Sequence, residues 1–484
     1  MFMRTSQKVG LTIGVVFGLG LQLLPVPDGL SPDGWIVVSM AILMVSWWVT
    51  EAIPIPVTSL LPLVVLPTTG VAPIADAAGP YASPIVLLLM GGFIIAKSVE
   101  RWNLHARIAL NIVVRAGNHP AALIGGFMLA SAVLSMWISN TATVIMLIPI
   151  AISVSYAVLG DKAARAPFTI ALLLGVAYGA SIGGLGTPVG TPTNLIVIGY
   201  LEREASQSIS FAQWMMIGIP TVVVMLPAAW LVLTRWGLRI ETPENDTGSD
   251  VVKDALAALG RITRPESRVL LVFAIIAAFW MFRRPLNGLE IFGVMPFSGV
   301  TDHVIAIAGA IAMFLVPSGS SEDRGARLLD WDTAVKIPWG VMLLFGGGLS
   351  LASVITGTGL AAWLGGQMAG LTEMPLIVIM FALVVFVIFA TELTSNVATA
   401  SALLPVIGAI ATAGGADPML LAVPVAMAAS CAFMLPMATG PNAIVFASGE
   451  VTIPQMASIG IRLNLLGVVL ITSLVTVLVP IIFG

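Results

Sequence analysis

The chain has 484 residues, 58% of them hydrophobic and only 9% charged, with a mean hydropathy of +1.04. Soluble domains carry roughly 25% charged residues, so a water-soluble globular protein is excluded and a polytopic membrane protein is indicated. A formal net charge of −3 gives no footprint for nucleic acid, the one cysteine (Cys431) has no internal disulfide partner, and His105, His119 and His303 are too scattered for a metal cluster.

In chain order, MFMRTSQKVGLTIGVVFGLGLQLL has a basic flank and an apolar run without a small-residue cleavage pattern, so a retained first helix is expected rather than a signal peptide. Spans are predicted near 9–25, 35–49, 54–69 and 84–100. Residues 116–160 carry no charge and hold two apolar arms around WISNT, which fit either two spans or one hairpin that dips in and returns. Residues 166–201 are also charge-free but interrupted by GGLGTPVGTPTN. A span at 212–234 precedes a charged stretch, 235–268, that reads as a linker with a short surface helix. Spans follow near 269–282 and 302–317, then the polar link SGSSEDRGARLLDWDTAVK. A span at 338–355, a surface helix near 360–370, apolar arms around LTSNV, and a charge-free segment at 418–449 broken by PMATGPN come next. The last span lies at 460–481. Short alternating segments of the kind a β-barrel needs are missing.

The second half repeats the first. LLLMGGFIIAKSV at 87–99 aligns with MLLFGGGLSLASV at 342–354, and PVGTPTNLIV at 188–197 aligns with PMATGPNAIV at 436–445. Ser139-Asn140 falls on Ser395-Asn396, with Ser135 and Thr391 each four residues earlier. Matched blocks in one order, with helix breakers at matching points, are a transporter signature. The fold expected is all-α, with inverted repeats, two re-entrant hairpins and two unwound transmembrane helices. If the hairpins return to their own sides and the broken segments each cross once, about eleven crossings result and the N-terminus is cytoplasmic. All 21 Lys and Arg except Arg203, Arg283 and Arg284 then fall inside.

A Ser-Asn pair at membrane depth must find partners. One copy alone reads as a helix cap or a polar packing contact; two copies, each with an oxygen one turn earlier and a Gly/Pro break downstream, read as binding sites. Hydroxyl, amide and carbonyl oxygens suit a desolvated alkali cation, while amide and hydroxyl donors at helix N-termini suit a carboxylate. Neither tip nor break holds an Arg or Lys, so a dianion there needs neutral donors and co-bound cations. A proton-driven carrier would instead use an in-membrane carboxyl. Glu392 and Glu51 are the candidates, and both also read as solvated helix-end charges. The Gly pairs at 91–92 and 346–347 read as close helix packing, and the tryptophans as packing or interface anchors.

With these motifs the chain resembles the divalent anion/sodium symporter family, whose members carry dicarboxylates, citrate or sulfate. The resemblance covers nearly the whole chain and is most specific at SCAFMLPMATGPNAIV, 430–445, which fits S-x-x-F-x-x-P followed by N-x-I-V. It implies one Na+ site at Ser135, Ser139, Asn140 and the Gly190 carbonyl, and a second at Thr391, Thr394, Asn396 and the Ala438 carbonyl. It implies substrate contacts at Ser139, Asn140, Thr141 and Thr191 on one side, and at Ser395, Asn396, Thr439 and Gly440 on the other. It further implies a homodimer in lipid, in the bacterial inner membrane, with an elevator-type transport domain. The division would be a scaffold at 1–83, transport halves at 84–200 and 338–449, scaffold and cytoplasmic linkers at 201–337, and a C-terminal transmembrane helix at 450–484. Val397 stands where many bacterial dicarboxylate carriers have Thr, and Gly440 where Pro is common. The leading expectation is Na+ symport of a C4-dicarboxylate (succinate, malate, fumarate). The alternatives are sulfate, citrate or another divalent anion, or Na+-independent dicarboxylate exchange. A membrane enzyme would need a nucleophile, an acid/base pair or a metal cluster, and the repeated motif offers none. Paired, blocked hairpins disfavour a channel.

Overall fold

Apolar runs of this length give the backbone no water to bond to, and helices satisfy it from within. The computed structural model describes residues 5–238, 240, 248–367 and 374–483. Among the described residues there is no β-strand, only the isolated bridges Ile291–Val294 and Pro317–Arg327. Nine helices among them are long and apolar enough to cross a membrane, with shorter apolar helices between. Many start on a proline in the first turn, as at Pro32, Pro84, Pro120, Pro167, Pro192 and Pro418. There the missing N–H is one the helix could not use.

Several bounds differ from the sequence reading. The span predicted at 54–69 is two helices, Ile55–Thr58 and Leu61–Thr69, because the prolines at 54, 56 and 62 interrupt it. The one predicted at 269–282 runs from Arg264 to Asn287 and carries its charges at its ends, where Arg283 pairs with Asp302 at 2.7 Å. The last helix, Ile453–Phe483, is longer at its start than predicted. Residues 104–114, not assigned from sequence, form a helix whose Arg107 grips the Glu266 carboxylate at 2.8 Å and the Gly260 carbonyl at 2.9 Å. The linker helix is Gly248–Ala258, and the surface helix is Leu360–Gln367. The last residues predicted for the surface helix, and Arg4 and Arg239 of the charge argument, lie outside the described residues.

Both duplicated units are present. The first hairpin is Pro120–Ser135 and Asn140–Leu159; the first broken segment is Pro167–Gly183, a 3-10 turn at Gly184–Gly186, a loop, and Pro192–Glu204. The second hairpin is Leu376–Thr391 and Asn396–Ala413; the second broken segment is Pro418–Ala429, an irregular stretch, and Gly440–Ala447. The base of the first hairpin meets the far end of the second broken segment, where Arg165 N donates to Glu450 at 2.8 Å. The base of the second meets the far end of the first, where Gln207 donates to Asp417 at 2.8 Å. That exchange of ends is what an inverted repeat requires.

Helix Pro167–Gly183 is buried from Phe168 onward and forms the centre of the larger core. Its glycines let the first hairpin press backbone to backbone. A Cβ at Gly179 would sit 2.6 Å from the Met128 carbonyl oxygen, and one at Gly183 would overlap the Ala132 carbonyl. A second apolar cluster joins Val37, Met44, Trp48 and Leu66 to Leu344, Leu351 and Ile355. The Gly pairs do serve close packing: a Cβ at Gly91 would lie 2.8 Å from Ala306 backbone, and Gly346 and Gly347 abut Tyr81 and Ser59. Trp48 is buried and donates to Ser59 at 3.1 Å, and Trp137 lies 6.2 Å from Phe211 in a stack.

Candidate functional site

At the first tip the helix ends at Ser135 and restarts at Asn140, with Ser139 as N-cap accepting from Ala142 N at 3.2 Å. Ser135 Oγ donates to Asn140 Oδ1. The first break folds against this pair. A Cβ at Gly184 would lie 2.9 Å from Asn140 Oδ1 and 3.3 Å from the Gly190 oxygen. One at Gly190 would lie 2.5 Å from the Gly184 oxygen and 3.0 Å from the Ser135 oxygen. Side-chain and backbone oxygens therefore gather where only glycine fits, a donor set that suits a hard cation. Thr187 closes the cradle by donating to the Met136 carbonyl.

The second tip repeats the geometry with other residues. Thr391 Oγ1 lies 2.9 Å from Asn396 Oδ1 and 2.9 Å from the Ala429 carbonyl. Ser395 is the N-cap of Asn396–Ala413 but makes no side-chain capping bond, which leaves its hydroxyl for another partner. Thr394 turns to the Ala390 carbonyl at 3.1 Å and to Thr399, and no hydrogen bond joins it to Thr391 or Asn396. Ala438 is buried, its N–H directed to the Leu435 oxygen at 3.2 Å. Thr439 caps the half-helix by accepting from Asn442 N at 3.2 Å.

The two halves meet at these tips. Gly440 lies so close to Thr141 that a Cβ there would overlap the Thr141 hydroxyl, which brings the first tip onto the second break. Thr191 reaches Thr193 at 3.2 Å, and Thr193 reaches Ser430 at 2.7 Å. Tyr178 OH donates to the Phe433 carbonyl at 2.9 Å. The structure thus brings Ser135 to Asn140, both Asn140 and the Gly190 carbonyl to Gly184, Thr391 to Asn396 and Thr141 to Gly440.

Sequence reasoning assigned no role to Asn194 and Asn442, the last residues of TPTN and TGPN. Each is fully buried and staples its break shut. Asn194 Nδ2 donates to the carbonyls of Gly184 (2.9 Å) and Thr187 (2.8 Å). Asn442 Nδ2 donates to those of Ala432 (3.1 Å) and Leu435 (3.1 Å). Their identical place in both breaks was the signal that could have found them. Of the two carboxyls, Glu51 is exposed at a helix end with φ 49°, as read. Glu392 is 3% exposed, so the solvated alternative fails for it.

Duplicated hairpins and duplicated helix breaks converging on a buried polar zone define a secondary carrier. A family model described as the sodium:sulfate symporter transmembrane region matches residues 5–483. The chain is 40% identical over 487 residues to a protein of Staphylococcus saprophyticus named sodium-dependent dicarboxylate transporter SdcS, covering 99% of this chain and 93% of that one. It is 40% identical over 486 residues to the protein of the same name from Staphylococcus aureus strain MRSA252, covering 99% and 92%. Its fold is similar to the crystal structure of the Alcanivorax borkumensis YdaH transporter (TM-score 0.56, 13% identity, 98% and 97% covered). It is also similar to Neisseria gonorrhoeae MtrF (TM-score 0.62, 12% identity, 98% and 95% covered). The chain belongs to the divalent anion/sodium symporter family. It is a multi-pass membrane transporter and not an enzyme.

Proposed function

We propose that the chain imports a C4-dicarboxylate such as succinate, malate or fumarate together with Na+. The observation that carries this reading is the pair of Ser/Thr–Asn oxygen clusters, Ser135–Asn140 and Thr391–Asn396, each beside an unwound segment without Arg or Lys. The names of the staphylococcal relatives support the same ion and substrate class.

In this reading one Na+ binds at Ser135, Ser139, Asn140 and the Gly190 carbonyl. A second binds at Thr391, Thr394, Asn396 and the Ala438 carbonyl. The carboxylates of the substrate meet Ser139, Asn140, Thr141 and Thr191 in one half and Ser395, Asn396, Thr439 and Gly440 in the other. Each asparagine offers an oxygen to the cation and an NH2 to the anion, so each ligand lowers the burial cost of the other. The transport halves, 84–200 and 338–449, move as a unit against a scaffold of 1–83 and 201–337, with 450–484 as the closing helix. The chain crosses a bacterial inner membrane about eleven times from a cytoplasmic N-terminus, as a homodimer in lipid. Uptake of labelled succinate, malate, citrate and sulfate into proteoliposomes, with and without an inward Na+ gradient, tests the reading. Na+-driven succinate uptake is expected. Sulfate, the anion in the family's description, replaces dicarboxylate if it alone is carried, and uptake indifferent to Na+ refutes the coupling.

A further inference from the structure

A cleft of about 930 Å³ lies where the end of helix Pro84–Arg101, the start of helix Arg264–Asn287 and the link at 319–324 come together. None of its lining residues belongs to either tip or either break, and in the proposed topology it opens to the cytoplasm. Each of the three segments contributes an arginine: Arg101, Arg264 and Arg324. Arg101 is held in place, with Nη2 paired to Asp330 at 2.6 Å and its guanidinium 5.3 Å from the centre of the Trp102 ring. Trp102 is itself pinned, donating to the Leu328 carbonyl at 2.7 Å. The other terminal nitrogen of Arg101, Nη1, is buried and has no partner in the protein. Arg264 and Arg324 are exposed, and among the described residues they enter no ion pair.

Two carboxylates also line the cleft, Glu266 and Glu322. Glu266 is committed to Arg107 at 2.8 Å and to Thr263 N at 2.6 Å, while Glu322 is exposed. The start of helix Arg264–Asn287 is not the attraction, because its capping box already satisfies Thr263 N and Glu266 N. Ser320 Oγ accepts from Glu322 N at 3.2 Å and keeps its own O–H to donate. Two exposed arginines alone would be a solvated face. A fixed third arginine with a buried, unpartnered N–H in the same cleft needs an acceptor. We propose that this cleft binds a phosphate group, carried by a lipid headgroup or by a soluble phosphate ester, apart from the transport site. A carboxylate is planar and fills one guanidinium fork, whereas a tetrahedral phosphate turns its oxygens toward several at once. The volume suits a ligand of that size, and a basic pocket between membrane helices at the cytoplasmic side is where anionic headgroups lodge. The bound phosphate ties the three segments together, whichever anion the protein carries.

The full-length protein, purified in a nonionic detergent without phosphate, is titrated with labelled inorganic phosphate and with a short-chain phosphatidic acid. A phosphatidylcholine of the same chain length is the control without net charge. Saturable binding of at least one of the two anionic probes is expected. The double variant R264Q/R324Q should weaken it by about tenfold or more, and E322Q, which removes the opposing charge, should tighten it by about two- to threefold. Phosphatidic acid binding at least about tenfold more tightly than inorganic phosphate assigns the site to a headgroup, and equal affinities assign it to a soluble ester. Succinate in excess should displace neither probe, since the transport site lies elsewhere. The proposal is overturned if neither anionic probe binds saturably, if R264Q/R324Q binds like the wild type, or if phosphatidylcholine binds as tightly as phosphatidic acid. Displacement by succinate overturns it too, because the phosphate then occupies the transport site. If the double variant does not fold, R324Q alone must weaken binding by about threefold or more, and wild-type affinity there is equally fatal.

Discussion

Substituting Leu for Asn194 keeps the side chain's shape and removes both of its donors. The carbonyls of Gly184 and Thr187, bonded at 2.9 and 2.8 Å, are then left buried, at a cost of roughly 1–3 kcal/mol each. Leu also removes Asn194 Oδ1, a buried oxygen with no protein partner, which gives back about as much as one carbonyl costs. The net is about 1–3 kcal/mol against the ordered break, or roughly 5- to 150-fold in the affinity of a ligand that needs that break ordered. The Gly190 carbonyl sits in this loop, so the loss should appear in Na+ binding, read by fluorescence titration of purified protein. N442L should show a smaller loss, because its two bonds are longer, at 3.1 Å each. Wild-type Na+ half-saturation in both variants would refute the staple.

N140A and N396A should each weaken Na+ and succinate together, since a coupling free energy acts equally in both directions; calorimetry with each ligand, alone and in the presence of the other, checks this. V397T should tighten dicarboxylate binding by at most one charged hydrogen bond, roughly 1.5–3 kcal/mol, measured by competition against labelled succinate. G440A should weaken substrate binding because its Cβ meets the Thr141 hydroxyl, and T141A in the same chain should restore part of the loss in that assay. Single cysteines at 161–165 should react with impermeant reagents from the cytoplasm and those at 413–416 from outside; both reacting from one side would sink the inverted topology. Cys431 is fully buried, so C431S serves only as a control background.

The duplicated motifs were legible because each is a local break in an apolar run: Ser139-Asn140, Ser395-Asn396, TPTN and TGPN stand out against their flanks. The pairing of Ser135 with Asn140 was legible too, since a residue one turn before a tip can face it. Other features depended on distant sequence. Nothing near Glu392 says that Asn464, on the last helix, will donate to it. Nothing near Gly440 says that Thr141 will fill the space a side chain would take. The division of residues 54–69 was present in the prolines, but average hydropathy hid it. Arg107 looked like one more cytoplasmic charge until the linker residues it binds came into place.

The glycine seam between helix Pro167–Gly183 and the first hairpin bears on stiffness. Where two helices touch through side chains, rotamer changes let one slide a little past the other; where backbone touches backbone, nothing is free to yield. The positions matching Gly175, Gly179 and Gly183 in the second repeat are Val423, Met427 and Cys431, so the second repeat has no glycine seam at these places. A push on the first tip therefore travels to its loop at residues 160–166 as through a single strut. In the second, Met427, the most adaptable kind of core side chain, turns its sulfur to Thr221 of helix Phe211–Leu231, 4.0 Å away. Two units of one duplicated shape thus differ in how they are seamed: glycine against backbone in the first, and no glycine at the matching places of the second.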